Sequence, residues 1–255
     1  MIIGIIPARF ASTRLIGKPL ANIGGKPMIQ HTYESASKSK LIEKLILAVD
    51  DSKVASVARG FGADVIETPK EITSGSDRVA YVAKTYKEAD IIANIQGDEP
   101  FIHGEMIDQA IEPLLFDKSI EVTTLIKQIQ SLKELHSPDI IKVVFDYDNY
   151  ALYFSRSQIP YSRNAISDSA ALEITDYYKH VGLYVYRRKT LLKFTSLKQT
   201  DLEKTEMLEQ LRMLENGIKI KVVETEFDSI SVDNQEDLKR ARTYYQWLQK
   251  REKEK

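Results

Sequence analysis

The sequence contains no cysteine, which excludes disulfides, thiolate catalysis and cysteine-ligated zinc. Its four histidines, at positions 31, 103, 136 and 180, show no metal-ligand spacing such as HExxH. No run approaches the ~18 apolar residues that a membrane span needs, and the opening "MIIGIIPARF" lacks the basic n-region of a signal peptide. Both readings predict a cytoplasmic protein with no membrane insertion. Neither charge is in excess: 36 Lys and Arg face 37 Asp and Glu, a formal net charge of -1. The global positive field of a nucleic-acid binder is missing, whereas a local anion site stays open. There is no internal repeat and no low-complexity linker. What is present is an ordinary globular composition, 43% hydrophobic and 29% charged over 255 residues. That suits one large domain, or a large and a small one.

Apolar, β-branched runs alternate with amphipathic stretches as far as residue 127. "MIIGII", "KLILAVD", "ADVIET", "DIIANIQ" and "EVTTLIK" read as strands. "PMIQHTYESASKS", "SKVASVARGF", "DRVAYVAKTY" and "EMIDQAIEPLL" read as helices. Continuous apolar strands followed by helices predict a mainly parallel sheet covered on both faces. The middle differs: "IIKVVFD", "YALYFSR" and "HVGLYVYR" lie close together with little helix between them, which predicts an antiparallel excursion. Residues 159–176, "IPYSRNAISDSAALEITD", are polar and irregular and read as a surface loop. A helix near 201–216, the strand "IKIKVVET" and a final helix from Asn234 complete the pattern.

Several stretches carry chemical signals. "PARFASTRLIGKPL", Pro7 to Leu20, places Arg9, Arg14 and Lys18 directly after the first strand. It is neither GxxxxGK[ST] nor GxGxxG, but a loop at a strand's carboxyl end is where open α/β sheets bind ligands. Backbone amides of a Gly/Ser-rich turn cradle phosphate oxygens while Arg and Lys neutralise them. A solvated basic loop is the equal alternative. In "QGDEP", Gln96 to Pro100, Asp98 at a strand end is placed to hold Mg²⁺, and a plain turn is the competing reading. In "SVDNQEDL", Asp233 and Glu236 fit a capping box, although a cap and a metal ligand are not exclusive. As a strand, "KHVGLYVYR" puts Val181, Leu183 and Val185 on one face and His180, Gly182, Tyr184 and Tyr186 on the other. In "EMLEQLR", Met207, Leu208, Leu211 and Leu214 read as a core-facing stripe, with Glu206, Glu209, Gln210 and Arg212 elsewhere.

"RFASTRLIGKPL", "SGSDR", "QGDEP", "ALYFSR", "KHVGLYVYR", "EMLEQLR" and "VDNQEDL", in this order and spacing, resemble the 3-deoxy-D-manno-octulosonate (Kdo) cytidylyltransferase family. The resemblance runs from Ile3 to about Arg240. It departs from the commonest pattern at Ile16, often proline, at Lys179, often arginine, and at Asn234-Gln235, where Thr-Pro is typical. None of these removes a charged or metal-binding group. The resemblance implies an α/β fold of the nucleotide-diphospho-sugar transferase-like type. That is a mixed, mainly parallel sheet flanked by helices, with a smaller antiparallel dimerisation subdomain. On that reading residues 1–130 and 202–255 form the nucleotide-binding domain, and 131–201 the subdomain for sugar binding and dimerisation.

The same resemblance implies transfer of CMP from CTP to the anomeric hydroxyl of Kdo, with Mg²⁺ as cofactor and a homodimer as the assembly. It casts Arg9, Arg14 and Lys18 as partners of the triphosphate, with Lys18, Arg14 and Asp98 as the catalytic set. Ser74, Gly75 and Arg78 would line the nucleotide pocket, and Asp98 and Asp233 would hold metal. Gln96, Arg156, Arg163, His180, Tyr184, Glu209 and Gln210 would surround the sugar acid. The 8-amino analogue of Kdo is an open alternative. A sialic-acid cytidylyltransferase is disfavoured by "KHVGLYVYR" with "EMLEQLR", and a non-catalytic nucleotide-binding protein by Lys18, Asp98 and Asp233 together.

Overall fold

Ile2–Ala8 is buried at every position, as a strand covered on both faces must be, and it forms β1 of a parallel sheet. The computed structural model describes residues 1–10 and 15–253, and its contacts divide the chain into residues 1–108 with 228–255 and residues 109–227. In the first unit, the small ribbon β2 (Asn22–Ile23) and β3 (Lys26–Pro27) leads into α1 (Met28–Ala36). β4 (Lys44–Val49), α2 (Ser52–Gly60), β5 (Asp64–Glu67), α3 (Gly75–Ala83) and β6 (Ile91–Asn94) follow. β1 pairs in parallel with β4 and β6, and β4 with β5, so Ala8, Val49 and Asn94 end strands on the same edge. Asp51 caps α2 by accepting from the Lys53 and Val54 amides, and Ser74 caps α3 through the Asp77 amide. These side chains satisfy helix N–H groups that would otherwise lack partners.

α4 (Gly104–Phe116) contains the division point. The second unit then runs through β7 (Val122–Gln128), α5 (Leu132–His136), β8 (Lys142–Phe145), β9 (Ala151–Ser155) and α6 (Asp168–Ile174). It continues through β10 (Tyr178–Arg187), α7 (Arg188–Ser196), α8 (Asp201–Glu206), α9 (Leu211–Glu215) and β11 (Lys221–Glu224). β10 is antiparallel to β7 and β8, β8 is antiparallel to β9, and β11 runs parallel to β7. The chain then returns to the first unit as α10 (Gln235–Lys253). There Val232, Leu238 and Ala241 pack with Leu15, Ile23, Met28 and Phe101 in one buried cluster. No helix among the described residues is long and apolar enough to cross a membrane.

The mixed, mainly parallel sheet agrees with the expected fold class, and three local features differ from the sequence reading. The division falls at 108/109 and 227/228 rather than at 130/131 and 201/202, because β7 and β11 pair with each other and β7 pairs with β10. Within the polar stretch 159–176, Ser167 accepts from the Ala170 amide and starts α6. Ala171 is buried there with Ile129, Leu135 and Tyr177, and one buried position in so short a helix creates no visible periodicity. The single helix expected over 201–216 is two short ones. Met207 between them is left-handed, with φ 53, and 76% exposed, so it lies outside the core stripe, whereas Leu208, Leu211 and Met213 are buried.

A buried ion pair explains the break. The Glu203 carboxylate of α8 accepts from Arg212 of α9 at Nε (2.7 Å) and at a terminal nitrogen (2.5 Å). Nine residues of straight helix would separate them by about 13 Å along the axis, so a two-pronged bond requires the chain to turn. Arg212 also lies 5.2 Å from the centre of the Phe194 ring. Removing one member leaves the other buried and charged, at about 3–5 kcal/mol. Arg212→Met is therefore expected to lower the unfolding free energy by that amount in urea titration. Adding Glu203→Gln to it should recover most of the loss; a double variant as unstable as the single would remove the pair as the cause.

Candidate functional site

In the first unit the carboxyl ends of β1 and β6 meet a segment of the returning chain. Lys18 enters from the loop after β1, through a short 3₁₀ turn, Lys18–Leu20. Its Nζ donates to Asp98 Oδ2 at 2.6 Å and to Asp233 Oδ1 at 2.9 Å. Burial opposes the ammonium's charge, but the two carboxylates outweigh it and hold its pKa above the usual lysine value. The backbone secures the same junction, since the Val232 amide donates to the Asp98 carbonyl at 2.9 Å. Gly97 is required just before Asp98: a Cβ there would stand 2.5 Å from the Pro7 carbonyl oxygen. Glu99 is buried, and burial first and the Asp98 charge second push its carboxyl up to about 7.

The cap of α10 is displaced by one residue from the sequence reading. Asn234, not Asp233, accepts from the Glu236 and Asp237 amides through its side-chain oxygen, at 2.9 and 3.0 Å. Asp237 reciprocates toward the Asp233 and Asn234 amides. The reciprocal box thus runs from 234 to 237 rather than from 233 to 236. With the helix start satisfied by Asn234, the Asp233 carboxylate accepts from Lys18.

Arg78 is fully buried. It pairs with Asp50 Oδ2 at 3.2 Å and donates to the Ile72 carbonyl at 2.8 Å and to the Thr68 hydroxyl. Asp50 turns its other oxygen to the Phe10 amide at 2.9 Å. This pair therefore ties the entry of the basic loop to the 68–74 segment that precedes α3. Arg9 is exposed and donates to the Thr73 carbonyl in the same place. Ser74 and Gly75 form the amino end of α3, with Gly75 beside Pro7. An exposed arginine and a helix amino end together favour an anion. Arg14 lies outside the described residues. Sequence reasoning passed over Asp50, although the rule that singled out Asp98, a carboxylate at the carboxyl end of a parallel strand, would have found it.

The second unit holds most of the residues expected around a sugar acid, and Gln96 belongs to the first. On β10, His180, Tyr184 and Tyr186 share a face as expected: His180 and Tyr184 centroids are 5.2 Å apart, and Tyr184 and Tyr186 stack at 5.8 Å. A bulge between Val181 and Tyr184 is filled by Thr124. Its hydroxyl lies 2.8 Å from the Leu183 carbonyl and 3.0 Å from His180 Nε2. Burial pushes the His180 imidazole down to about 3, so it is neutral at physiological pH. Nε2 of Gln210 is buried without a hydrogen-bond partner, an arrangement that buried polar groups rarely keep; the buried Tyr184 hydroxyl has the Thr124 side chain as a partner. Glu209 raises the Tyr184 phenol further, after burial. Arg163 is exposed. Arg156 donates to the carbonyls of Glu206 (2.7 Å), Pro138 (2.9 Å) and Met207 (3.4 Å).

Adjacent aspartates provide an internal comparison. Asp50→Asn keeps an acceptor for the Phe10 amide but leaves Arg78 as a buried, unpaired cation, and should cost about 3–5 kcal/mol of stability. Asp51→Asn replaces one good cap by another and should stay within about 0.5 kcal/mol of the parent. Urea unfolding of both variants tests this, and equal losses would mean that the ion pair does not brace the loop.

Comparison with known proteins follows the same lines. A family model described as cytidylyltransferase matches residues 3–220. The 3-deoxy-manno-octulosonate cytidylyltransferase of Pelobacter propionicus is 50% identical over 252 residues, 97% of this chain and 98% of that protein. The protein of the same name from Geobacter metallireducens is 52% identical over 241 residues, covering 93% of this chain and 94% of its own length. Among solved structures, CMP:2-keto-3-deoxy-manno-octonic acid synthetase complexed with CTP matches with a TM-score of 0.90 at 39% identity, over 97% of this chain and 99% of that one. A 4-diphosphocytidyl-2C-methyl-D-erythritol synthase from Anaerococcus prevotii, 17% identical with a TM-score of 0.63 over 96% of this chain and 98% of its own, shares the fold. Whole-length identity of this order, together with the matching family model, means that the chain belongs to the cytidylyltransferase family, among the 3-deoxy-manno-octulosonate cytidylyltransferases.

Proposed function

We propose that the chain transfers CMP from CTP to the anomeric C2 hydroxyl of Kdo, releasing pyrophosphate and activating the sugar for lipopolysaccharide biosynthesis. The observation that carries this reading is the convergence of Lys18, Asp98 and Asp233, distant in sequence, with the Lys18 ammonium 2.6 Å from Asp98 and 2.9 Å from Asp233. Two carboxylates aimed at one cation-sized point suit Mg²⁺, which is bound through one or two carboxylates with substrate phosphates and water completing its shell. Asp98 and Asp233 would hold it; when bound, the ion lowers the pKa of the attacking hydroxyl and neutralises charge on the phosphates.

The remaining work is positioning and charge neutralisation, which dominate phosphoryl-type transfer. The hydroxyl oxygen bonds to the α-phosphorus, the bond from that phosphorus to the α–β bridging oxygen breaks, and the hydroxyl proton passes to solvent. Arg9, Lys18 and the amino end of α3 at Ser74 and Gly75 receive the triphosphate, with Arg14 joining them by family resemblance. Arg78 contributes indirectly, by fixing the 68–74 segment through its bonds to Thr68 and Ile72. On the sugar side, the unpartnered Gln210 Nε2 and the Tyr184 hydroxyl offer hydrogen bonds to a polyol, with the neutral His180 beside Tyr184 and Glu209 as a further acceptor. A guanidinium fork suits the sugar's carboxylate, and Arg163 presents an exposed one. The same reading carries a homodimer acting in the cytoplasm, with no nucleic-acid partner.

Pyrophosphate release with CTP, Mg²⁺ and Kdo tests the reaction, with the 8-amino analogue and a sialic acid as competing substrates; turnover with neither Kdo nor its analogue would overturn it. Asp233→Asn separates the metal role from the capping role. Since Asn234 caps α10, the variant should melt close to the parent, while turnover falls by about a hundredfold or more and the Mg²⁺ requirement rises. Asn234→Ala should do the reverse, losing about 1 kcal/mol of stability with turnover preserved. Normal activity of Asp233→Asn at low Mg²⁺ would remove Asp233 from the metal site.

A further inference from the structure

Lys142, at the start of β8, is fully buried. All three ammonium protons are used: Nζ donates to the carbonyls of Ser137 (2.8 Å), Ile140 (2.7 Å) and Arg156 (2.6 Å). An interior cation whose hydrogen bonds all go to carbonyls is a costly way to stabilise a fold, even with the Glu206 charge nearby, and its value lies in what it fixes. Here that is the 137–140 segment and the residue that follows β9.

Arg156 then passes the constraint on. Its backbone amide donates to Glu206 Oε2 at 3.0 Å, while its Nε donates to the Glu206 carbonyl at 2.7 Å, so side chain and backbone of each residue grip the other. The second oxygen of Glu206 accepts from the Ser155 hydroxyl at 2.6 Å, and the Arg156 fork also reaches Pro138 and Met207. Burial resists the charge of Glu206, and the Arg156 amide and the Ser155 and Tyr153 hydroxyls more than offset it, holding the carboxyl below its usual pKa. Glu206 ends α8, and the left-handed Met207 follows. The turn that begins there carries Glu209 and the unpartnered Gln210 amide.

We propose that Lys142 is a positioning residue for the sugar-acid site, acting through Arg156 and Glu206 to hold the 207–210 turn that presents Glu209 and Gln210. The proposal rests on the reading of those two residues as sugar contacts. It assigns the Arg156 guanidinium an architectural duty, with three of its five N–H groups bonded to carbonyls.

The test is steady-state kinetics of Lys142→Met, similar in length but without donors, at a temperature well below its melting point. The expected result is a rise of about tenfold or more in the KM for Kdo, with the KM for CTP within about twofold of the parent. A purely structural lysine would lower the melting temperature without splitting the two constants. Unchanged constants, or equal rises in both, would overturn the proposal. Should Lys142→Met fail to fold, Glu206→Gln carries the test, because it keeps an acceptor for Ser155 and weakens the grip on the Arg156 amide; the same split is expected, and its absence overturns the proposal equally. Gln210→Ala in the same assay distinguishes the two levels. A raised KM for Kdo there, with Lys142→Met unaffected, sinks the latch alone; a flat response in both sinks the reading of the sugar site and the latch with it.

Discussion

The first unit is assembled from two distant pieces of chain, and the Lys18 ammonium between Asp98 and Asp233 joins them at the point where chemistry is expected. One carboxylate follows a central parallel strand and the other precedes the last helix. Left alone, two half-buried carboxylates so close together would repel, and the amino group removes that penalty. The Val232–Asp98 backbone bond and the buried cluster of Leu15, Ile23, Val232 and Leu238 place the pieces to within hydrogen-bonding distance. Apolar burial thus brings the segments together without specifying atoms, and the charged bridge specifies them. A site made in this way is already shaped for positive charge, which is the basis for the proposal that the same carboxylates hold Mg²⁺.

Buried cations recur with a common use. Arg78 bonds Asp50, Thr68 and the Ile72 carbonyl; Arg212 bonds Glu203 and the Leu197 carbonyl; Lys142 bonds three carbonyls. Each joins segments without regular structure to the end of a strand or helix. Hydrophobic packing would stabilise as well or better at such positions, but it could not satisfy loop carbonyls withdrawn from water. The loops beside the proposed nucleotide site and in the 207–210 turn are therefore held by polar bonds with fixed directions. That is the requirement for presenting side chains to a substrate with little reorganisation.

Much of this was legible in the chain itself. The strand Ile2–Ala8 is apolar throughout and Lys44–Val49 is apolar after its first residue, and that pattern alone implies burial on both faces and parallel pairing. The order of motifs from "RFASTRLIGKPL" to "VDNQEDL" identified the family, and alternation in "KHVGLYVYR" placed His180, Tyr184 and Tyr186 on one face. That parity survived the bulge at Gly182-Leu183, because a shift of two residues returns side chains to the same side.

Other properties depended on partners far away in sequence. Whether Asp233 or Asn234 caps α10 turns on a lysine 215 residues earlier, and two adjacent polar residues before a helix give no local means of choosing. Arg78, expected by family resemblance to line the nucleotide pocket, is drawn into the interior by Asp50 and Thr68. The break at Met207 comes from Glu203 meeting Arg212, a contact that a helical wheel would place on different turns. The sequence by itself determined most of the longer strands and helices, the layered α/β class and the family, because periodicity and motif order are local and survive without a partner. Tertiary structure alone decided which charged groups stay exposed and which brace loops, because the energy of a charge is set by the groups that surround it in space.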